Sequence, residues 1–424
     1  MSDIRVVLSI GYGRLHLIST AKGLADVGCK VKLVCGWIPK QPDGWLVRLC
    51  SKVIGRDLSF GMKKRVICLP RVTVCATAWI DFLDQGFRLI DRKLFHNRFH
   101  GRVASWGWRV FGWRSKAFMR KGDAIFHCRS GAGQGGAIAR ARELGMKVVV
   151  DHSIAHPAYM ERHLRPEYEK NGAIFDLGMD SPFWQQIVKD CEEADVVQVN
   201  SFFVRDTFLE QGFPAEKIRV VYLGEREDFF GLRKPRCEER RLKLLFTGGF
   251  VFRKGCEYIL EACKILKERG IDYEMDIVGD HSGSRSIISR YEKDGLPLTF
   301  HGQKLQDELK EFLSAADVYV FPSLAEGCAQ SGMEAMAAGL CVVGTRESGF
   351  PISDGETGFI VPTKNAVAIA DKIEWLASHR AEIDRIGANA AKLIMVNYTW
   401  RKYSENTLAL YESLLQGKDE RSRV

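Results

Sequence analysis

Residues 321–345 of the chain read FPSLAEGCAQSGMEAMAAGLCVVGT, and their pattern predicts a strand, a loop, a helix and a second strand. The first strand is the end of an apolar run and stops at Pro322. Met333 and Met336 recur at helical spacing up to Gly339, a residue type that commonly follows the end of a helix. The apolar residues 340–343 form the second strand. This succession is typical of a parallel α/β domain.

The loop before this helix contains small residues and is predicted to bind an anion. Such a loop offers free backbone N–H groups and lies at the positive end of the helix dipole. Glu326 precedes the loop and Glu334 lies in the helix, so a carboxylate flanks the anion site on each side. A ligand with phosphates between hydroxyl-rich sugars fits this chemistry, although a surface helix with an acidic cap has the same pattern. The residues of the loop that are predicted to bind this ligand are Gly327, Cys328, Ala329, Gln330 and Ser331.

The spacing of the two glutamates resembles a family signature. Glu326, seven intervening residues and Glu334, followed by AMAAG, are similar to the paired-glutamate motif of the retaining glycosyltransferases of family 4, among the glycosyl transferases group 1. The resemblance follows residues 242–361 nearly throughout and the N-terminal half more loosely. It implies the GT-B fold, in which two Rossmann-like α/β domains face each other across a cleft, and a nucleotide-sugar donor. We expect Glu334 to bind the donor ribose and Glu326 to contact the transferred sugar.

The length of 424 residues indicates two domains. We place an acceptor-binding domain at residues 1–228 and a donor-binding domain at residues 240–397. The resemblance adds a helix at residues 398–417 that returns to the first domain. At the crossing between the domains, residues 223–226 read LGER where the family usually has an Asn-Gly-Val-Asp-like turn. This departure weakens any functional role for the turn.

The composition is that of a globular protein, with 46% hydrophobic and 27% charged residues. No apolar run approaches the roughly 18–20 residues of a membrane span, and the N-terminus does not resemble a signal peptide. The 12 cysteines show neither CxxC pairs nor metal-ligand spacing. We therefore expect reduced cysteines in a cytoplasmic protein. The net charge of +9 permits an anionic partner. Because zinc-finger and RNP patterns are missing, we expect no nucleic-acid partner.

The N-terminus predicts a β-α-β unit whose first turn contains Gly11 and Gly13. The helix of this unit is predicted at residues 17–26. His16 takes the place of the third glycine of a dinucleotide-binding fingerprint, and no acid ends the second strand. The turn is either an ordinary strand–helix connection or one that a substrate approaches closely. The resemblance places it near the donor diphosphate and the acceptor, so Gly11 and Gly13 are predicted donor-binding residues.

Two histidines follow strands of the first domain. His127 belongs to one apolar run and His152 follows the next, and the carboxyl ends of parallel strands share one edge of a sheet. Family members often carry a histidine in this region that positions the acceptor or the transferred sugar. We predict a catalytic role for His127 or His152 and leave both open. A single histidine is more often structural.

Arg253 and Lys254 end the first loop of the second domain, just before a predicted helix. Two adjacent cations at this position suit a diphosphate. The resemblance assigns this role to Lys254, with Arg253 in place of an arginine that family members carry earlier in the loop. Because no Asp-x-Asp motif is evident, we expect neither a metal nor another cofactor. By the same resemblance the nucleotide lies near Gly279, Gln303 and Leu305, which follow two further strands.

Residues 87–121 interleave aromatic and basic side chains, with Asp91 as the only acid. Such a segment is typical of an interfacial surface, in which rings lie at headgroup depth and cations bind anionic lipid. The alternative is a helical subdomain whose aromatic residues fill the core of the first domain. We expect peripheral association with the cytoplasmic face of the membrane. The predicted acceptor or membrane residues are Arg98, Arg102, Trp106, Arg109, Trp113 and Arg114.

Together these patterns predict a retaining, metal-independent glycosyltransferase that moves a sugar from a nucleotide diphosphate sugar to a glycan or lipid-linked acceptor. A cell-envelope polysaccharide, such as lipopolysaccharide, capsule or exopolysaccharide, is the expected product. A nucleotide-sugar epimerase or a phosphorylase would share both domains and stays open as an alternative. A dehydrogenase would need the fingerprint that this chain lacks, and a non-enzymatic sugar-nucleotide sensor has no positive support.

Overall fold

The computed structural model describes residues 4–12, 16–38, 41, 43–54, 57, 69–234 and 240–417. Gly13 and most of the charged stretch between the predicted domains lie outside these residues. Over the described ranges the chain forms two parallel β-sheets, one of seven strands and one of six. Helices connect most of the successive strands.

The first domain contains the seven-stranded sheet. Its strands are β1 (Arg5–Ser9), β2 (Lys30–Cys35), β3 (Val72–Ala76), β4 (Ile125–Arg129), β5 (Lys147–His152), β6 (Val196–Val199) and β7 (Ile218–Val220). They are ordered β3-β2-β1-β4-β5-β6-β7. Its helices are α1 (Leu17–Asp26), α2 (Trp45–Ile54), α3 (Ala78–Leu94), α4 (His100–Ser115), α5 (Ala137–Glu143), α6 (Pro157–Lys170), α7 (Pro182–Glu193) and α8 (Phe202–Leu209).

The second domain contains the six-stranded sheet. Its strands are β8 (Leu242–Thr247), β9 (Tyr273–Val278), β10 (Leu298–Gly302), β11 (Val318–Phe321), β12 (Cys341–Gly344) and β13 (Phe359–Ile360). They are ordered β10-β9-β8-β11-β12-β13. Its helices are α9 (Cys256–Glu268), α10 (Arg285–Tyr291), α11 (Gln306–Ala315), α12 (Gln330–Ala338), α13 (Ala366–Ser378) and α14 (Arg380–Asn397), and α15 (Trp400–Gln416) ends the described chain.

The alternation of side chains along β1 shows how the first sheet is stabilised. Val6 and Leu8 belong to the apolar core on one face of the sheet, and Val7 belongs to the core on the other face. A parallel strand with both faces covered is largely apolar, as the three central residues of β1 are. Polar side chains are therefore concentrated where strands end, and ligands of open α/β sheets bind at the carboxyl ends.

The helix α15 returns from the second domain and packs on α1 of the first. The hydroxyl of Tyr403 on α15 accepts hydrogen bonds from Thr20 of α1 at 2.9 Å and from Gln198 of β6 at 3.0 Å. Gly23 of α1 lies against Ser404, and a Cβ at Gly23 would overlap the Ser404 hydroxyl. Two crossings thus join the domains, one before β8 and one before α15.

The predicted two-domain α/β architecture is confirmed. The helix predicted at residues 17–26 spans Leu17–Asp26, and the strand predicted at residues 340–343 is observed at Cys341–Gly344.

The aromatic and basic segment, residues 87–121, forms the second half of α3, the following turn and α4. Some of its aromatic side chains lie in the core and others at the surface, so both predicted environments are present. Trp108 and Phe111 are buried in the core, whereas Trp106 and Trp113 are exposed. In the described part of the chain no helix combines the length and apolar character needed to cross a bilayer.

Candidate active site

A cleft of about 1260 Å³ lies between the two domains. Its walls come from the carboxyl ends of strands in both sheets, from the start of α12 and from α15. The size suits a ligand as large as a nucleotide sugar. Residues of both domains line the cleft, among them His16, Ser153, Glu225, Arg226, Arg253, Lys254, Gln306, Glu326, Cys328, Ala329, Gln330, Ser331 and Glu334.

Gly327 brings the predicted anion loop against the first domain. A Cβ on Gly327 would lie 2.1 Å from the carbonyl oxygen of Ser153, so any larger residue would separate the domains here. The Ser201 hydroxyl donates a hydrogen bond of 2.6 Å to the carbonyl oxygen of Gly327. The loop is therefore held from both sides of the cleft, and α12 begins three residues later at Gln330.

The side chains of Arg253, Lys254 and Glu326 form a charged cluster in the cleft. Arg253 Nη1 lies 2.7 Å and Lys254 Nζ 3.8 Å from the same oxygen, Glu326 Oε1. Burial alone would raise the pKa of Glu326, but the charges of Arg253 and Lys254 outweigh it and hold the pKa below its usual value. Burial lowers the pKa of Lys254, although Glu326 partly compensates. The cluster brings together two cations and one anion, and so has an excess of positive charge.

Glu334 is buried to 8% exposure on α12, and it faces the cleft. Burial raises the pKa of Glu334 to about 7, although a hydrogen bond with Gln306 and the charge of Arg226 act in the opposite direction. Burial, together with the nearby charge of Glu334, raises the pKa of Glu225 to about 8. The Gln330 amide donates a 2.6 Å hydrogen bond to Glu225. Two carboxyl groups with raised pKa values therefore lie near the start of α12.

The remaining loop residues are fixed by neighbouring side chains. Cys328 is buried, and burial raises the pKa of its thiol. Ser331 accepts a 2.9 Å hydrogen bond from the hydroxyl of Tyr319 in β11. Ala329 precedes α12 in extended conformation and is half-buried. The start of α12, with its free backbone N–H groups, is thus held in place by the packing of Cys328 and by the hydrogen bond of Ser331.

A smaller cavity of about 310 Å³ adjoins the cleft, and Gly248 and Ser331 line both. Gly279 and Gln303, two of the predicted nucleotide-binding residues, line this cavity. Gly279 has a φ of +150°, and a Cβ there would lie 1.9 Å from the carbonyl oxygen of Gly248, so the close approach of two strand ends requires glycine. Leu305 is exposed and is not among the residues that line this cavity. Its backbone N–H donates a 2.8 Å hydrogen bond to the carboxylate of Glu308 at the start of α11.

His16 lines the cleft on the side of the first domain, and the sequence did not single it out. Its Nε2 lies 3.0 Å from Oδ2 of the buried Asp151 at the end of β5. Burial alone would raise the pKa of Asp151, but the interaction with His16 outweighs it and the pKa is lowered. The signal was present, since His16 directly follows the glycine turn and His152 adjoins Asp151. Only the fold brings residues 135 positions apart into contact.

His127 and His152 lie inside the first domain, behind this pair. Nδ1 of His127 lies 2.6 Å from the hydroxyl of Tyr411 on α15, and Nδ1 of His152 lies 3.0 Å from the hydroxyl of Ser130. Burial lowers the pKa of both histidines to about 4, so both are neutral at physiological pH. Among the described residues no group of three or more metal-ligating His, Cys, Asp or Glu side chains was found.

Gly11 lies under the tryptophan ring of Trp108. Its φ is +65°, and a Cβ would lie 2.3 Å from the ring of Trp108. The hydroxyl of the next residue, Tyr12, donates a 2.7 Å hydrogen bond to the carbonyl oxygen of Gly107 on α4. The glycine turn is therefore packed on α4. Gly13, which the sequence also predicts as a donor contact, lies outside the described residues.

The predicted acceptor or membrane residues lie on α4 and in the turn before it. Arg102, Trp106, Arg109 and Trp113 line a groove of about 500 Å³ on the outside of the first domain. Arg98 is exposed in the turn and lies over the ring of Phe99. Arg114 is half-buried over the ring of Phe118, with its guanidinium carbon 4.6 Å from the ring centroid.

The second domain matches a known family. Residues 231–393 match the family model described as glycosyl transferases group 1. This range contains the cationic loop, both glutamates and α12. The match confirms the resemblance of this part of the chain to the group 1 enzymes.

Two curated relatives with similar sequences are named for the biosynthesis of bacterial polysaccharides. The amylovoran biosynthesis glycosyltransferase AmsK of Erwinia amylovora is 32% identical over 187 residues, which are 41% of this chain and 46% of that protein. The putative colanic acid biosynthesis glycosyltransferase WcaL of Escherichia coli K12 is 31% identical over 204 residues, 46% of this chain and 49% of that protein. The chain thus spans about half the length of the curated relatives that it matches.

The similarity of the fold extends over the whole chain. Sucrose-phosphate synthase from Thermosynechococcus elongatus superposes with a TM-score of 0.66 at 15% identity, over 98% of this chain and all of that one. Solved structures that are similar to this one over nearly its whole length have the GT-B fold, and so does this chain.

Proposed function

We propose that the protein is a retaining glycosyltransferase that moves a sugar from a nucleoside diphosphate sugar to a glycan or lipid-linked acceptor. The observation that carries this proposal is the arrangement at the cleft. Two half-buried cations and the N-terminus of α12 lie on one side, and Glu334 lies one helical turn away. His16, held by the buried Asp151, faces them from the other domain.

The cationic side of the cleft is suited to the diphosphate of the donor. In the free protein Glu326 forms ion pairs with Arg253 and Lys254. A diphosphate between the cations and the N–H groups of α12 would release Glu326 toward the transferred sugar. Fixed cations and backbone dipoles in a dry site stabilise a departing anion, and one such donor contributes about 3–4 kcal/mol in other enzymes. No metal is needed for this charge stabilisation, which is why the proposed reaction is metal-independent.

The donor ribose would bind Glu334. An ionised carboxylate accepts hydrogen bonds from two neighbouring hydroxyl groups, and such charge-assisted bonds are about twice as strong as neutral ones. Gln303 and Gly279, which line the adjoining cavity, are the proposed contacts of the nucleobase and of its ribose.

The acceptor would bind on the side of His16. The hydrogen bond to Asp151 fixes the imidazole ring of His16, so that the ring orients an acceptor hydroxyl rather than rotating freely. In the family mechanism that the motif implies, the leaving phosphate helps to deprotonate this hydroxyl on the same face of the sugar, and the anomeric configuration is retained. The buried His127 and His152 would act only through the packing of this wall.

We further propose that the product is a cell-envelope polysaccharide or its lipid-linked precursor, made at the cytoplasmic face of the membrane. The names of the two curated relatives support a role in polysaccharide biosynthesis. The basic and aromatic helices of the first domain support a membrane-bound acceptor.

Three measurements test the proposed function. Thermal melting with a panel of nucleotide sugars identifies the donor, because a ligand that binds only the folded state raises Tm. NMR of the product formed from that donor then gives the anomeric configuration, and inversion would contradict the proposal. Single-turnover incubation with labelled donor separates transfer from epimerisation, in which the label stays on the nucleotide, and from phosphorolysis, in which it appears as sugar phosphate.

A further inference from the structure

Helix α3 has most of its large apolar side chains on the outside and its acids on the inside. Trp79, Leu83, Phe87, Ile90 and Leu94 follow one face of the helix and are between 43% and 69% exposed. The three acids of the helix are buried on the opposite side: Asp81, Asp84 and Asp91. A surface helix of a water-soluble domain normally shows the reverse pattern. The orientation of α3 therefore needs an explanation.

Two of the buried acids fix this orientation, because each accepts a hydrogen bond from a backbone N–H group outside the helix. Asp81 accepts from the backbone N–H of Trp37 at 3.0 Å, and Asp91 accepts from that of Phe99 at 3.0 Å. Asp84 pairs with Arg88 of the same helix at 2.7 Å and lies against Gly107 of α4, where a Cβ would overlap its carboxylate. Rotation of α3 to bury its apolar face would break the hydrogen bonds of Asp81 and Asp91 and move Asp84 away from α4. The exposed apolar face is therefore built into the fold.

The neighbouring helix α4 extends this surface. The rings of Phe87 on α3 and Trp106 on α4 are in edge-to-face contact, with centroids 4.9 Å apart. Trp113 follows two helical turns later on the same side of α4 and is also exposed. We refer to the surface made by Trp79, Leu83, Phe87, Ile90, Leu94, Trp106 and Trp113 as the apolar face.

Cations surround the apolar face, and exposed acids are missing from α3 and α4. Arg92 and Lys93 are exposed at the end of α3, Arg98 in the following turn, and Arg102 and Arg109 on α4. All three acids of residues 78–115 are the buried ones of α3. An anionic lipid surface complements both the charge of these cations and the apolar side chains.

We propose that the apolar face is a membrane-docking surface, with α3 at the boundary between headgroups and acyl chains and the surrounding cations on anionic lipid headgroups. Exposed tryptophans at the rim of such a face are typical of membrane interfaces. Each cation near an anionic bilayer contributes about 1 kcal/mol, so attachment is reversible and sensitive to salt.

The docking surface is connected to the cleft through α4. The glycine turn packs on Trp108 and Gly107 of this helix, and His16 at the cleft wall follows that turn. Docking would thus hold the acceptor side of the cleft close to the lipid–water boundary. The inference rests on the proposed function only for this last step, since attachment to lipid does not require sugar transfer.

Vesicle sedimentation of the full chain at low salt tests the proposal. We expect wild-type protein to pellet with vesicles of phosphatidylcholine and phosphatidylglycerol, and far less with phosphatidylcholine alone. The triple variant L83S/I90S/L94S should lose more than about tenfold in apparent affinity, because each side chain adds apolar area to the contact. The matched control V367S/M395S/V396S changes three similarly exposed apolar residues of the second domain and should bind like wild type.

Two further readouts separate a docking defect from other failures. Both triple variants should bind a nucleoside diphosphate with unchanged affinity by calorimetry, which shows that the cleft is intact. The charge variant R98E/R102E/R109E/R114E should also release the protein from anionic vesicles. Wild-type protein that ignores anionic vesicles, or an L83S/I90S/L94S variant that binds them like wild type, would overturn the proposal. A wild-type dimer that this variant converts to a monomer would assign the face to a second copy of the chain instead.

Discussion

Replacement of Glu326 by glutamine separates the two roles that the cleft assigns to its charged cluster. The variant E326Q keeps the size and one hydrogen-bond acceptor of the side chain, but it removes the only anion that contacts Arg253 and Lys254 in the cluster. We expect two opposite effects. Nucleoside diphosphate should bind more tightly, because it no longer competes with a carboxylate, whereas turnover should fall, because the contact to the transferred sugar is weakened.

The magnitudes follow from the geometry. Two unit charges 4 Å apart interact by about 4 kcal/mol at an effective dielectric constant of 20, and desolvation offsets much of this. The gain in nucleoside diphosphate affinity should therefore be about tenfold, or about 1.4 kcal/mol. Loss of one partner from a buried ion pair costs about 3–5 kcal/mol in the free energy of unfolding. The free variant should thus melt earlier than wild type, and the added ligand should restore more of its stability.

Calorimetry with nucleoside diphosphate and thermal melting with and without it measure both quantities. The variant Asp317→Asn is a matched control, since Asp317 is a buried carboxylate of the same domain that pairs with Arg240 at 2.9 Å outside the cleft. It should lose stability without any gain in ligand affinity. If E326Q binds nucleoside diphosphate no more tightly than wild type, then Arg253 and Lys254 do not hold the diphosphate, and the proposed donor site is wrong.

Three other changes test the remaining walls of the cleft. Glu334→Gln should raise the donor dissociation constant roughly tenfold by removing charge-assisted hydrogen bonds. Because the pKa of Glu334 is raised to about 7, donor affinity of the wild type should fall as the pH drops from 8 to 6, and calorimetry should show a flatter profile for the variant. Lys254→Ala should cost about 2–4 kcal/mol of transition-state stabilisation, measured from the change in kcat/KM, whereas the control Lys243→Ala outside the cleft should not. Activity of K254A within threefold of wild type would refute the role of Lys254. Turnover of the wild type should stay unchanged in EDTA. His16→Phe should lower transfer to the acceptor while nucleoside diphosphate binding by calorimetry stays unchanged, and an equal loss of both would place His16 on the donor side.

The fold could be predicted from the sequence because its signals are local. Apolar runs bounded by proline or glycine define the strands, and Gly339 with its φ of +89° ends α12 where the periodicity of Met333 and Met336 stops. The paired glutamates were found for a similar reason. A fixed spacing along one loop and one helix brings them to the same side of the cleft without help from the rest of the chain.

Features that depend on distant contacts were not predicted. His16 and Asp151 are ordinary residues of their own segments, and they form a pair only because β1 and β5 end at the same edge of the first sheet. The direction of α3 is a second example. Its pattern specifies an apolar and an acidic side, but which side faces inward depends on backbone donors supplied by Trp37 and Phe99.

The crossing between the domains gives the departure LGER a physical meaning. The backbone N–H of Glu225 donates a 2.7 Å hydrogen bond to the carbonyl oxygen of Tyr398, just before the returning helix, and its carboxyl group accepts one from Gln330 at the start of α12. A single residue thus joins both crossings to the helix end that is proposed to bind the diphosphate. A valine at this position would make the same backbone contact, but it would leave Gln330 only the longer hydrogen bond, of 3.2 Å, to the carbonyl oxygen of Gly224. The orientation of the domains and the position of the anion site are therefore linked through Gln330, and an opening of the cleft between the crossing and α12 must either break its hydrogen bonds or move α12 with the crossing.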